Sequence, residues 1–110
     1  MNDKFLTTLG LARRAGKLTY GNDMVMAALG ATALLLISED CAPRTQRNAE
    51  RAAAEHGVPV VSVPFTKERL GSAIGTKPVC LVGVTDKGLT ASLAKHIEGG
   101  ISFGTEIQSS

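Results

Sequence analysis

Three short apolar runs limit what this chain can become. Ala33-Leu34-Leu35-Leu36-Ile37 ends at Ser38-Glu39-Asp40, and the other two are Val58-Pro59-Val60-Val61-Ser62-Val63 and Val79-Cys80-Leu81-Val82-Gly83-Val84. Each is too short to cross a bilayer, and an unbroken apolar run of this length suits a strand covered on both faces. The last two are rich in β-branched residues, which favours strand over buried helix. Segments with three- and four-residue apolar spacing lie between them, so the chain alternates β and α. Right-handed crossovers then predict a three-layer α/β/α sandwich around a four-stranded mixed sheet, with a short first strand at an edge.

At 110 residues, 44% of them hydrophobic, the chain can bury a core without disulfide or metal staples. Residues 1–98 are expected to form a single domain. The stretch 99–110, beginning Gly99-Gly100 and ending in polar residues, is expected to be a loosely ordered tail. With no Trp, one Tyr and three Phe, little aromatic surface is left for stacking bases. Cys41 and Cys80 lie in no Cys-x-x-Cys spacing, have only His56 and His96 as conceivable co-ligands, and read as reduced, packed thiols. No metal or cofactor is expected. Met1-Asn2-Asp3-Lys4 leads straight into an amphipathic helix rather than a signal-peptide layout, so the expected compartment is the cytoplasm, with no membrane partner. A net charge of +2 permits an anionic partner without requiring one.

The first helix is expected to carry Phe5, Leu6, Leu9 and Ala12 on one face, with a cap at Asn2 or Asp3 and a stop at Gly16. Arg13, Arg14 and Lys17 crowd its end, where they either answer the helix dipole or contact phosphate. Lys17-Leu18-Thr19-Tyr20 is a short β-prone piece leading to Gly21-Asn22-Asp23. Asn22 or Asp23 can cap a second helix that Gly30 ends. The same three residues can instead offer free backbone N–H donors beside side-chain acceptors, to bind phosphate or base edges. Pro43 suits the first turn of a third helix with Ala49, Ala52 and Ala53 inside. Thr66 can cap a fourth helix that stops at Gly75, and a fifth has Leu89, Leu93, Ala94 and Ile97 on one face. Gly71-Ser72-Ala73-Ile74-Gly75-Thr76-Lys77 is not a phosphate-binding loop, since the order of Thr and Lys is wrong and it ends a helix rather than beginning one.

Two functional classes compete. Glu39-Asp40 and Asp86 both follow apolar strands, which in a doubly wound sheet would gather carboxylates at the strand C-termini, where a magnesium ion and a phosphoryl group could meet. No lysine at a strand end holds such a group, and no nucleophile is paired with a base. Asp86 suits a first-turn helix residue and Asp40 a cap before Pro43. An enzyme with a small-molecule substrate is therefore not expected.

The other class rests on a resemblance. Leu9-Gly10-Leu11-Ala12-Arg13-Arg14-Ala15-Gly16-Lys17-Leu18, Gly21, Leu36-Ile37-Ser38-Glu39-Asp40, Gly57-Val58-Pro59-Val60, Leu70-Gly71-Ser72-Ala73-Ile74-Gly75 and Val82-Gly83-Val84-Thr85-Asp86-Lys87-Gly88 resemble, in order, the kink-turn RNA-binding ribosomal-protein family in its bacterial YlxQ-type branch. The resemblance covers about residues 4 to 97. It implies an α/β/α sandwich and a non-enzymatic protein that binds structured RNA, with rRNA or the ribosome as the partner in translation. It also implies that Gly21, Asn22 and Asp23 meet the tandem sheared G·A pairs of the kink, and that a second contact loop carries Lys77. The family's helix lysine one turn later is missing, because Ala27 or a neighbour stands there; the loss removes one phosphate contact. Arg13, Arg14, Lys17 and Lys77 are expected to steer RNA towards the Gly21-Asn22-Asp23 helix start. The alternative is a protein-interaction module on the same fold without RNA binding.

Overall fold

The structure is a computed structural model that describes residues 2–95 of the chain. Its order is α1 (Asn2–Arg14), β1 (Leu18–Tyr20), α2 (Asn22–Ala27), a 3₁₀ turn (Leu29–Ala31), β2 (Leu34–Ile37), α3 (Pro43–Glu55), β3 (Val60–Ser62), α4 (Lys67–Ile74), β4 (Leu81–Val84) and α5 (Lys87–Lys95). The side chains of Asn2 and Asp3, Ile97 and the 99–110 stretch lie outside the described residues. With them go the expected first cap, the end of the last helix and the boundary at residue 98.

The four strands lie in the order β1-β4-β2-β3. β2 and β3 are parallel, joined across α3, while β4 runs antiparallel to both β1 and β2. The sheet is therefore mixed, and β1 is a three-residue edge strand, as the apolar pattern predicts. Alternation along β2 divides the core. Leu34 and Leu36 point to one face with Val82 and Val84, beneath Phe5 and Leu9 of α1, Leu70 and Ile74 of α4 and Leu93 of α5. Leu35, Ile37 and Leu81 point to the other, against Val25 of α2 and Ala49 and Ala53 of α3. The small alanines let α3 lie close to the sheet. Each fully buried Leu or Val contributes about 1.5 to 3 kcal/mol. Phe5 and Phe65 stack at 5.5 Å in the larger half. No helix among the described residues is long and apolar enough to cross a membrane.

Several local signals act as expected. Pro43 opens α3, and the Thr66 hydroxyl accepts from Arg69 N–H at 3.1 Å to cap α4, which Gly75 ends in the left-handed region. Gly30 does not end α2. That helix stops at Ala27 and the chain tightens into the 3₁₀ turn that contains Gly30. Nor does Asp40 cap α3, whose N-cap, Ala42, has no side-chain hydrogen bond.

Gly71 is a spacer in α4. A Cβ there would run into the Lys77 carbonyl and Pro78 Cα, so only glycine lets the loop before β4 lie directly on this helix. Gly71→Ala is expected to cost about 1 to 3 kcal/mol of stability through overpacking, measured by urea denaturation. An unchanged midpoint would show that the loop yields without cost.

Candidate nucleic-acid interface

Sheet order decides which loops meet. Because β4 opposes β1 and β2, its start faces their ends: Gly21 N–H donates to the Leu81 carbonyl at 3.2 Å and Ser38 N–H to the Cys80 carbonyl at 3.0 Å. The segment after β3 joins the same end of the sheet, where Glu39 N–H donates to the Phe65 carbonyl at 2.9 Å. Between these loops lies an open cleft of about 540 Å³, bordered by Gly21, Asn22, Asp23, Lys67 and Cys80, among others.

Gly21 makes the turn from β1 into α2 at φ 90°, ψ 149°, a conformation that side-chain-bearing residues rarely adopt. It is also the N-cap: its carbonyl accepts from Val25 N–H at 3.0 Å, and no side chain caps the helix. Asn22 and Asp23 thus fall inside α2 rather than before it, and neither is used for the capping that their residue types suggest. The Asn22 side-chain oxygen accepts the Cys80 thiol at 3.3 Å. Its amide NH2 stays open to the cleft, beside the exposed carboxylate of Asp23, which has no side-chain partner among the described residues.

Lys67 is the residue the sequence reading missed. Its backbone N–H donates to Asp40 Oδ1 at 2.9 Å and its carbonyl accepts from Val79 N–H at 3.1 Å, so the first residue of α4 ties the loop after β2 to the loop before β4. Partial desolvation works to raise the Asp40 carboxyl, but the Lys67 N–H bond and further hydrogen bonds outweigh it and hold the group below the usual range. The side chain of Lys67 borders the cleft, and exposed Lys77 stands in the loop that supplies Pro78 and Val79. Ala42 and Thr45, at the uncapped start of α3, bring that helix's free N–H groups to the opposite wall. Beneath, Cys41 is buried, and burial followed by the hydrogen-bonded Cys80 thiol pushes its thiol up to about 12. Both cysteines are free thiols.

The structure brings Gly21, Asn22, Asp23 and Lys77 to one end of the sheet. It does not bring Lys17 there. Lys17 lies at the opposite end of β1, roughly 10 to 13 Å away along the strand, where its Nζ pairs with Asp86 Oδ2 at 3.2 Å. Arg13 lies over the Tyr20 ring at 5.2 Å and donates to its hydroxyl at 3.2 Å, while exposed Arg14 ends α1. The carboxylate cluster considered for a magnesium site is likewise divided: antiparallel β4 carries Asp86 to the far end from Glu39 and Asp40. Lys67 carries one readable signal, since the first residues after a parallel strand gather at the sheet's carboxyl end. The pairing of Cys80 with Asn22 carries none, because 58 positions separate them.

Comparison with known proteins adds three findings. Residues 3–94 match the family described as ribosomal protein L7Ae/L30e/S12e/Gadd45. The chain is 32% identical over 92 residues to the RNA-binding protein YlxQ of Bacillus subtilis, which covers 82% of this chain and 91% of that protein. Among solved structures, a protein with unknown function from Bacillus halodurans superposes with a TM-score of 0.80 at 33% identity, covering 87% of this chain and 98% of the other. The 15.5kD RNA binding protein of Giardia lamblia shares the fold, with a TM-score of 0.70 at 20% identity over 83% of this chain and 79% of its own.

The far end of the sheet titrates. Asp86 Oδ1 accepts Leu89 N–H at 3.0 Å, and this bond, followed by the one from Lys17, holds its carboxyl below the usual range. A depressed folded value stabilises the protein above the unfolded pKa of about 3.9, and the benefit is lost as pH falls through the folded value. The stability gap between wild type and Asp86→Asn is therefore expected at pH 6 and should close as pH falls below about 4. A gap that stays constant down to pH 2 in pH-dependent urea unfolding would contradict this assignment.

Proposed function

Since the chain belongs to the ribosomal protein L7Ae/L30e/S12e/Gadd45 family, we propose that it is a non-enzymatic RNA-binding protein that recognises kink-turn RNA, with ribosomal RNA as the target. One observation carries the reading: Gly21 takes the N-cap position of α2, so Asn22 and Asp23 follow inside the helix, where neither is spent on capping and both border the cleft. The printed name of the Bacillus subtilis relative, an RNA-binding protein, supports it. Asn22 offers donors through its NH2 and Asp23 offers acceptors, a pair suited to a base edge that sets an acceptor beside donors. Lys67 at the cleft and exposed Lys77 in the loop before β4 supply charge for phosphates, and the free N–H groups of α3 add a partial positive charge.

Recognition and charge give separate tests. Asn22→Ala or Asp23→Ala should weaken binding to a duplex with tandem G·A pairs by about 1 to 3 kcal/mol, with little effect on a plain duplex. Replacing the G·A pairs by Watson–Crick pairs should erase the difference. Equal affinity of the wild-type protein for both RNAs would refute the reading and favour a protein-interaction module.

The salt titration asks which cations touch RNA. Lys67→Ala and Lys77→Ala should each lower the slope of log affinity against log salt by about one. Lys17→Ala should leave it unchanged, because its ammonium pairs with Asp86 at the other end of the sheet. A slope that responds to Lys17 and not to Lys67 would move the phosphate contacts away from the cleft.

A further inference from the structure

An asparagine amide can present either an acceptor or two donors, and a half-turn about its last torsion exchanges them. On an exposed residue such as Asn22, water satisfies both orientations, so the unassisted side chain would offer the cleft a mixture. One contact breaks that symmetry. The Cys80 thiol, partly buried at the base of the cleft, donates to Asn22 Oδ1 at 3.3 Å, an ordinary length for a sulfur donor.

The two residues are held at fixed separation by the backbone. Gly21, directly before Asn22, donates its N–H to the carbonyl of Leu81, directly after Cys80, and the Cys80 carbonyl is held by Ser38 N–H. Cys41 belongs to the apolar cluster of α2 and α3, and Cys80 packs against that cluster.

We infer that Cys80 is a positioning residue for RNA recognition, whose S–H holds the Asn22 amide with its oxygen inward and its NH2 towards the cleft. This rests on the RNA-binding reading and adds a determinant of base selectivity to it. The thiol need not touch RNA. It fixes which hydrogen-bonding face Asn22 shows, and so spares binding the cost of ordering that group. A cysteine read from its sequence as simple packing then acquires a role that depends on its hydrogen, not its volume.

The deciding experiment separates hydrogen from volume. Cys80→Val keeps a side chain of similar size and removes the donor; Cys80→Ser keeps a donor. For a duplex with tandem G·A pairs, Cys80→Val should bind about three- to tenfold more weakly than wild type, with no change on a plain duplex, and Cys80→Ser should stay within about twofold of wild type. In an Asn22→Ala background, Cys80→Val should have no further effect, because the group it positions is gone. Wild-type affinity in Cys80→Val, an undiminished loss in the Asn22→Ala background, or equal losses for Val and Ser would each overturn the inference. A second readout needs no RNA. The side-chain ¹⁵N–¹H₂ signals of Asn22 in the free wild-type protein should show a rigid amide, and Cys80→Val should release it; an amide as mobile as that of an exposed asparagine in wild type would overturn the inference even if the Val variant fails to fold. If wild type binds both duplexes equally, the functional reading falls, while the NMR measurement still decides whether Cys80 orients the amide.

Discussion

The antiparallel pairing of β2 with β4 is the constraint on which the rest depends. Its register sets Leu34 opposite Val84 and Ile37 opposite Leu81, so the end of one strand meets the beginning of the other. Both strands are buried along their whole length, and their side chains supply both halves of the core. A one-residue slip would exchange the two apolar faces and misfit both helical layers, so the register is strongly determined. The meeting of Ser38 with Cys80, and of Gly21 with Leu81, follows from it. The cleft is thus a by-product of core packing: the residues that border it lie just beyond the last ladder bonds.

Around that framework, the cleft is bordered by groups that folding leaves unused. Glycine at the N-cap of α2 relieves Asn22 and Asp23 of the task that such residues commonly perform. Asp40 is drawn away from α3 to hold the backbone of Lys67, which leaves the start of α3 uncapped beside the cleft. Lys67 has both backbone polar groups fixed, so its ammonium is carried on a rigid base. Two other cations pair within the fold. Lys17 answers Asp86, and Arg13 covers Tyr20 at the edge strand.

Much of the architecture could be read from residue order. The apolar runs became strands because only a sheet covered on both faces buries Leu34 to Ile37 completely. Thr66, Gly75 and Pro43 acted as local punctuation because capping and φ preferences operate within a few residues. The site was legible only in part. Gly21, Asn22 and Asp23 were singled out as a helix start and by family resemblance, yet only the position of Gly21 at the N-cap shows that neither Asn22 nor Asp23 caps the helix. Lys17 is near Asn22 in sequence, but the intervening strand carries it to the opposite end, where it meets Asp86. The contacts of Lys67 and Cys80 were not foreseen for the converse reason, since their partners are 27 and 58 positions away and meet them only through the sheet. Strand direction was the missing quantity: with β4 antiparallel, Asp86 leaves the company of Asp40.

The brevity of α2 has a kinetic consequence. Six residues are far fewer than an isolated helix needs to persist in water, so this segment is helical only while Val25 remains seated in the smaller half of the core. It is joined to a three-residue edge strand, and together they form a lightly supported corner of the fold. Opening of that corner should require far less free energy than global unfolding, so its amide protons should exchange with deuterium ahead of those in β2 and β4. A bound molecule that grips Asn22 and Asp23 would close the corner and slow that exchange, leaving its imprint on a part of the fold that opens more readily than the central strands.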